Sequence, residues 1–177
     1  MHKVAKSQEI QGFEKIKGDK NTMIKVLFLC HGNICRSTMA EMVFKDLVRR
    51  HHIESRFYIN SAATSREEIG NGVHYGTRHK LAQVGIPCED HRAIQMTKAD
   101  YQNYDYLIGM DTYNIRNMHR IAGGDPEGKI HMLLDFTKRA GESIADPWYT
   151  GNFDVTYDDV VEGCNGLLRH LKENERI

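Results

Sequence analysis

From residue 24 onward, short unbroken apolar runs alternate with longer stretches in which apolar residues recur every three or four positions. The runs at 25–30, 57–61, 106–110 and 129–134 have the length and the β-branched and aliphatic content of buried parallel strands. Ala40, Val43, Phe44, Leu47 and Val48 form one helical stripe. Val160, Val161, Cys164, Leu167, Leu168 and Leu171 form another. Shorter helices are predicted over 72–84, 99–103 and 111–121, with Thr97 and Asp100 spaced as a capping box before the second. Gly85-Ile86-Pro87 and Gly123-Gly124-Asp125-Pro126 read as stops and turns. Strands separated by helices require crossover connections. The expected fold is therefore α/β: an open, mostly parallel four-stranded sheet with helices on both faces, a three-layer αβα arrangement. Ligands of such sheets bind beyond the carboxyl ends of the strands, and Cys30 falls at one of those ends.

Composition narrows this picture without redirecting it. At 177 residues the chain suits one domain with a substantial core. The 24 basic and 24 acidic side chains cancel, which leaves no electrostatic footprint of a nucleic-acid binder. The longest apolar stretch, 26–30, is far short of the roughly 20 residues that cross a bilayer, so no membrane association is expected. No basic segment followed by an apolar run opens the chain, and the expectation is a protein without a secretory signal. Residues 1–22 are polar and aperiodic. They are expected to be a flexible leader or tag remnant, with a single domain over 23–177. Of the four cysteines, Cys30 ends a buried strand and Cys164 lies in an apolar helical stripe. A core of this size needs no staples, so reduced thiols in a cytoplasmic setting are expected. The ten histidines show no zinc-like pairing with cysteine, and neither metal nor cofactor is expected.

Candidate chemistry concentrates in Cys30-His31-Gly32-Asn33-Ile34-Cys35-Arg36-Ser37. A polar loop between a strand and a helix can gather backbone N–H groups around a dianion, with the Cys30 sulfur at its floor and the Arg36 guanidinium at its rim. Helix dipole and guanidinium both favour the thiolate, which argues for a nucleophile over an inert core cysteine. Arg36 can clamp two phosphate oxygens with its planar fork. Ser37 can cap the helix, donate to the sulfur, or do both. Gly32 and Asn33 supply backbone freedom, Asn being one of few residues that tolerate a left-handed conformation. A leaving alkoxide or phenoxide needs a proton. The best donor is Asp146 in Asp146-Pro147-Trp148-Tyr149. Taken alone, that segment reads equally as a turn aspartate before core aromatics. Beside the cysteine loop it reads as an acid flanked by Trp148 and Tyr149, two aromatics able to hold an aryl group.

These residues closely resemble the low-molecular-weight protein tyrosine phosphatases. The resemblance runs from about Ile24 to Leu171. It includes Asn60-Ser61-Ala62-Ala63-Thr64-Ser65, Gly85-Ile86-Pro87, His91-Arg92-Ala93 and Gly109-Met110-Asp111 in the family's order. It implies a phosphotyrosine protein phosphatase I-like fold and hydrolysis of phosphotyrosine through a phosphocysteine. Cys30 would be the nucleophile, Arg36 the clamp, and Asp146 general acid and then general base. His31, Gly32, Asn33, Ile34, Cys35 and Ser37 would line or brace the phosphate site, with Ser61 supporting the loop. The resemblance further implies that Cys35 can pair with an oxidised Cys30 and shield it from over-oxidation. Ile34 matches the apolar residue of tyrosine-specific members, where a threonine would suit phosphoarginine phosphatases. Expected partners are tyrosine-phosphorylated proteins, small aryl phosphates and inhibitory phosphate-like oxyanions.

Three positions depart from the family pattern. Thr38 stands where proline often follows the loop serine. Arg66, Glu67 and Glu68 stand where an aromatic often walls the groove. Val84 replaces a histidine that in some members backs the loop, which implies a simpler support around Asn33. Arsenate reduction on the same fold is the competing enzymatic reading, but it needs cysteines to relay a disulfide, and no closely spaced pair lies near Asp146. A catalytically silent phosphoprotein-binding module would have lost Cys30, Arg36 or Asp146, and all three are present.

Overall fold

The computed structural model describes residues 22–175 and 177. The leader expected over 1–22 lies, apart from Thr22, outside these residues. The chain runs β1 (Ile24–Cys30), α1 (Arg36–Arg50), β2 (Phe57–Ala63), α2 (Tyr75–Gln83), α3 (Lys98–Asn103), β3 (Tyr106–Gly109), α4 (Thr112–Ala122), β4 (Ile130–Met132), α5 (Pro147–Thr150) and α6 (Phe153–Asn174). Single 3₁₀ turns occupy Glu54–Arg56 and Leu133–Phe136. All four strands pair in parallel, in the order β2-β1-β3-β4.

The period-two alternation of a strand divides β1 between two cores. Ile24, Val26, Phe28 and Cys30 join the cluster filled by α1 and α6, while Leu27 and Leu29 join the one filled by α3 and α4. Every β1 residue except Lys25 is buried, which is why the strand reads as a continuous apolar run and not as an alternation. Phe28, Phe44 and Phe57 meet edge to face at 5.8 and 5.5 Å and fix α1 against the sheet.

Element ends depart from the sequence expectation where a side chain captures the backbone. β3 stops at Gly109 because Asn114 Oδ1 accepts the N–H groups of Met110 and Asp111, turning the chain into α4. Met132 is the last residue of β4 because Asp135 accepts its N–H at 3.1 Å. Leu133 and Leu134, expected in the strand, form a buried 3₁₀ turn instead. The helix expected from 72 begins at Tyr75, with His74 Nδ1 accepting the Gly76 N–H at 3.0 Å.

From central β1 the chain crosses to β2 on one side and later to β3 on the other. The connections leaving β1 and β3 therefore diverge at their carboxyl ends and open a crevice between Cys30 and Asp111. Among the described residues no helix is long and apolar enough to cross a membrane.

Candidate active site

Between Cys30 and the start of α1, the loop turns through Asn33, whose φ is +60°. The turn brings the Asn33 N–H to 3.3 Å from Cys30 Sγ, while Ser37 Oγ stands 3.1 Å from the same sulfur. Hydrogen positions follow from the network behind the loop. Asn33 Oδ1 meets His91 Nε2 at 2.7 Å and the Ile94 N–H at 3.2 Å, so it is the acceptor end of the amide. Asn33 Nδ2 then donates to Ser37 Oγ and Ser61 Oγ, each at 2.9 Å. Ser37 Oγ also accepts from the Cys30 thiol, and its own hydrogen can turn to the sulfur once that is a thiolate. Ser61 passes its hydrogen to Glu41 Oε1 at 2.5 Å, and Lys45 pairs the other Glu41 oxygen at 2.6 Å. His91 carries its proton on Nε2 and sets Nδ1 3.6 Å from Glu41. Burial pulls the His91 imidazole below its ordinary pKa, against the opposing pull of Glu41.

Arg36 opens α1 and is only 2% exposed. Its Nη1 donates to Asp111 Oδ2 at 2.6 Å and to the Ile144 carbonyl at 3.0 Å, and its Nη2 reaches Asp146 Oδ2 at 3.3 Å. Nε is buried without a partner among the described residues. Burial opposes the guanidinium charge, but Cys30, Asp111 and Asp146 more than offset it, and the Arg36 pKa is raised. Asp111 caps α4 with its other oxygen, and Asp146 caps α5 by accepting the Trp148 N–H at 3.0 Å. Pro147, first in α5, preorganises that turn. One arginine thus ties together the ends of β1 and β3 and the loop after β4.

Cys30, Ile34, Cys35 and Asp146 line one cleft of about 100 Å³, whose rim is formed by His31, Gly32, Glu67, Glu68, Trp148 and Tyr149. Trp148 is 58% and Tyr149 83% exposed, so neither is a core aromatic. The side chains of Asn33 and Ser37 do not line the cleft. They lie fully buried beneath it with Ser61, bracing the loop. Cys35 is also buried, and burial, then Cys30 and Asp146, push its thiol up to about 12 against the pull of Arg36.

The expectation of a simpler support around Asn33 is corrected. Val84 is the exposed C-cap of α2, and the histidine that backs the loop is His91, from a different segment. Glu41, Asp111 and His91 were missed as site residues. The only signal for the last two was their membership of the motifs Gly109-Met110-Asp111 and His91-Arg92-Ala93. The other cysteines offer no relay: Cys88 lines a separate surface cleft, and Cys164 is sealed in the α1–α6 core. Among the described residues no His, Cys, Asp and Glu cluster is arranged to hold a metal.

The family described as low molecular weight phosphotyrosine protein phosphatase matches residues 25–177. The low molecular weight protein-tyrosine-phosphatase YfkJ of Bacillus subtilis is 36% identical over 156 residues, covering 88% of this chain and 100% of its own. Its crystal structure superposes with a TM-score of 0.83, covering 98% of that chain. The low molecular weight phosphotyrosine protein phosphatase of Gallus gallus is 40% identical, covering 81% of this chain and 92% of its own. A protein tyrosine phosphatase of Entamoeba histolytica, crystallised with Hepes in its active site, is 29% identical. It superposes with a TM-score of 0.79 over 85% of this chain and 97% of its own.

Proposed function

The chain belongs to the low-molecular-weight phosphotyrosine protein phosphatase family and is an enzyme of that class; from this premise we propose that Cys30 is its nucleophile, Arg36 its phosphate clamp, and Asp146 its general acid and base. The observation that carries this reading is the cleft in which Cys30 and Asp146, remote in sequence, face one space with the unpartnered Nε of Arg36 buried nearby.

The Cys30 thiolate attacks the phosphorus of an aryl phosphate. The ester P–O bond breaks as the Asp146 carboxylic acid protonates the departing phenolate. In the resting molecule Asp146 Oδ2 lies 3.3 Å from Arg36 Nη2, and an arriving dianion competes with it for the guanidinium. Water then attacks the phosphocysteine, Asp146 accepts its proton, and the S–P bond breaks to release inorganic phosphate. The Ser37 hydroxyl and the Asn33 N–H receive the returning thiolate. Trp148 and Tyr149 flank the aryl group, and apolar Ile34 at the cleft floor suits a phenyl ring. Tyrosine-phosphorylated proteins and small aryl phosphates are the substrates, and phosphate-like oxyanions the inhibitors. The four free thiols suit a reducing, cytoplasmic setting.

Turnover of phosphotyrosine, phosphoserine and phosphoarginine peptides by the parent, Cys30→Ser and Asp146→Ala proteins tests the reading. Phosphotyrosine should be preferred, Cys30→Ser should abolish turnover, and Asp146→Ala should slow it by about 10²–10⁴-fold. If both variants match the parent on an aryl phosphate, the assignment is wrong.

A further inference from the structure

Building on that phosphatase reading, we propose that Glu67 and Glu68 make the site selective for phosphotyrosine carrying a Lys or Arg beside it in the chain, and reject phosphotyrosine with acidic neighbours. The two carboxylates belong to the rim of the cleft that holds Cys30, and among the described residues no Lys or Arg lines that cleft to balance them. Each carboxylate has a polar partner in the fold, unlike a freely solvated acidic stretch. The segment carrying them is stitched to the catalytic loop: the Thr64 N–H donates to the Cys30 carbonyl at 2.9 Å, and the Ser65 N–H to the His31 carbonyl at 3.1 Å. Glu67 Oε2 is held by His31 Nε2 at 2.9 Å. Glu68 lies over Gly32, so that a Cβ added there would come within 3.1 Å of Glu68 Cγ, and its carboxylate accepts from Asn71 Nδ2 at 2.6 Å. Arg66 offers no compensation, since its Nε turns away to Gln95 Oε1 at 3.2 Å and it does not line the cleft.

An anion pocket with two anchored carboxylates at its mouth repels the dianion it must admit. The guanidinium within is already shared among Cys30, Asp111 and Asp146. A cation on the substrate itself, one residue from the phosphotyrosine, meets the rim charges as the phosphate meets Arg36, and turns the repulsion into recognition. An acidic neighbour adds to the repulsion.

The test uses three phosphotyrosine peptides of one length, identical except for Lys, Ala or Glu on both sides of the phosphotyrosine, assayed on the full chain. At low ionic strength kcat/KM should fall in the order Lys, Ala, Glu, with the extremes about tenfold apart, the scale of a few partly screened charge contacts. Near 1 M salt, where the screening length is about 3 Å, the ratio should shrink to within about twofold. It should shrink likewise in Glu67→Gln/Glu68→Gln and invert in Glu67→Lys/Glu68→Lys. Equal turnover of the three peptides at low salt by a protein active on a small aryl phosphate would overturn the proposal alone, as would a ratio that survives the double Gln change. Failure on the aryl phosphate itself would overturn the phosphatase reading, and this selectivity with it.

Discussion

Asn33 makes four side-chain hydrogen bonds while fully buried and in a left-handed backbone conformation, so its replacement removes several things together. Asn33→Ala strands the donors of His91 and Ile94 and puts a Cβ-bearing residue without a local hydrogen bond at positive φ. The expected loss is about 2–4 kcal/mol of stability in urea denaturation. Turnover should fall as well, because Ser37 loses the partner that aims its hydrogen at the sulfur. A loss below about 0.5 kcal/mol would mean that the network does not bear on the loop. Cys35 makes a second prediction. Peroxide converts the Cys30 thiolate to a sulfenic acid, removing one of the charges that hold the Cys35 thiol near 12. Cys35 can then attack, forming a disulfide and releasing water. Mild peroxide followed by dithiol should restore the parent and fail to restore Cys35→Ser; equal recovery of both would exclude the shielding role. Sequence alone singled out Cys30, Arg36 and Asp146, which the fold brings together, because each belongs to a contiguous motif. It misjudged the support of Asn33, since Val84 stays exposed at the end of α2 while the α2–α3 connection carries His91 back to the loop.

At the scale of elements, strand and helix identities were readable because burial on both faces makes unbroken apolar runs and burial on one makes stripes. Their ends were less readable, because Asn114, Asp135 and His74 end or begin them through side-chain bonds to the backbone that leave no mark in a hydropathy pattern. Close approach is equally hidden. α6 presses Gly163 and Gly166 against the 3₁₀ turn Leu133–Phe136. A Cβ on Gly163 would stand 2.4 Å from Leu133 Cγ, and one on Gly166 2.4 Å from the Phe136 carbonyl oxygen. Alanine favours a helix over glycine by about 1 kcal/mol, and at an open site both changes would stabilise. Here overpacking dominates. Gly166→Ala should cost about 1–3 kcal/mol in chemical denaturation. Gly163→Ala should cost less, because a leucine side chain can shift where a carbonyl in a tight turn cannot. A Gly166→Ala protein as stable as the parent would show that the turn yields.

For the whole molecule, what no local pattern announced is convergence. Arg36, Asp111 and Asp146 meet because the crevice opens at the strand ends where the connections diverge, a property of the strand order β2-β1-β3-β4 and not of any motif. The same burial that assembles the site also sets how the fold answers acid. His91 behind the loop and His131 in β4 both have pKa values lowered by burial, with Glu41 opposing at the first and Asp125 and Asp135 at the second, where His170 adds to the lowering. A histidine lowered in the folded state is neutral in both states above its ordinary value of about 6.5. Below that value the unfolded chain takes the proton first, so stability declines as pH falls through the interval down to the folded value. Urea midpoints should therefore drop between pH 7 and pH 5, and His131→Gln should flatten that slope. Catalysis should not follow the same curve through His91, because its Nε2–H is present in both protonation states and continues to donate to Asn33, while a positive ring draws closer to Glu41. A stability that rises on acidification over this range, or a His131→Gln slope equal to the parent's, would contradict the assignment of these two rings as buried neutral groups.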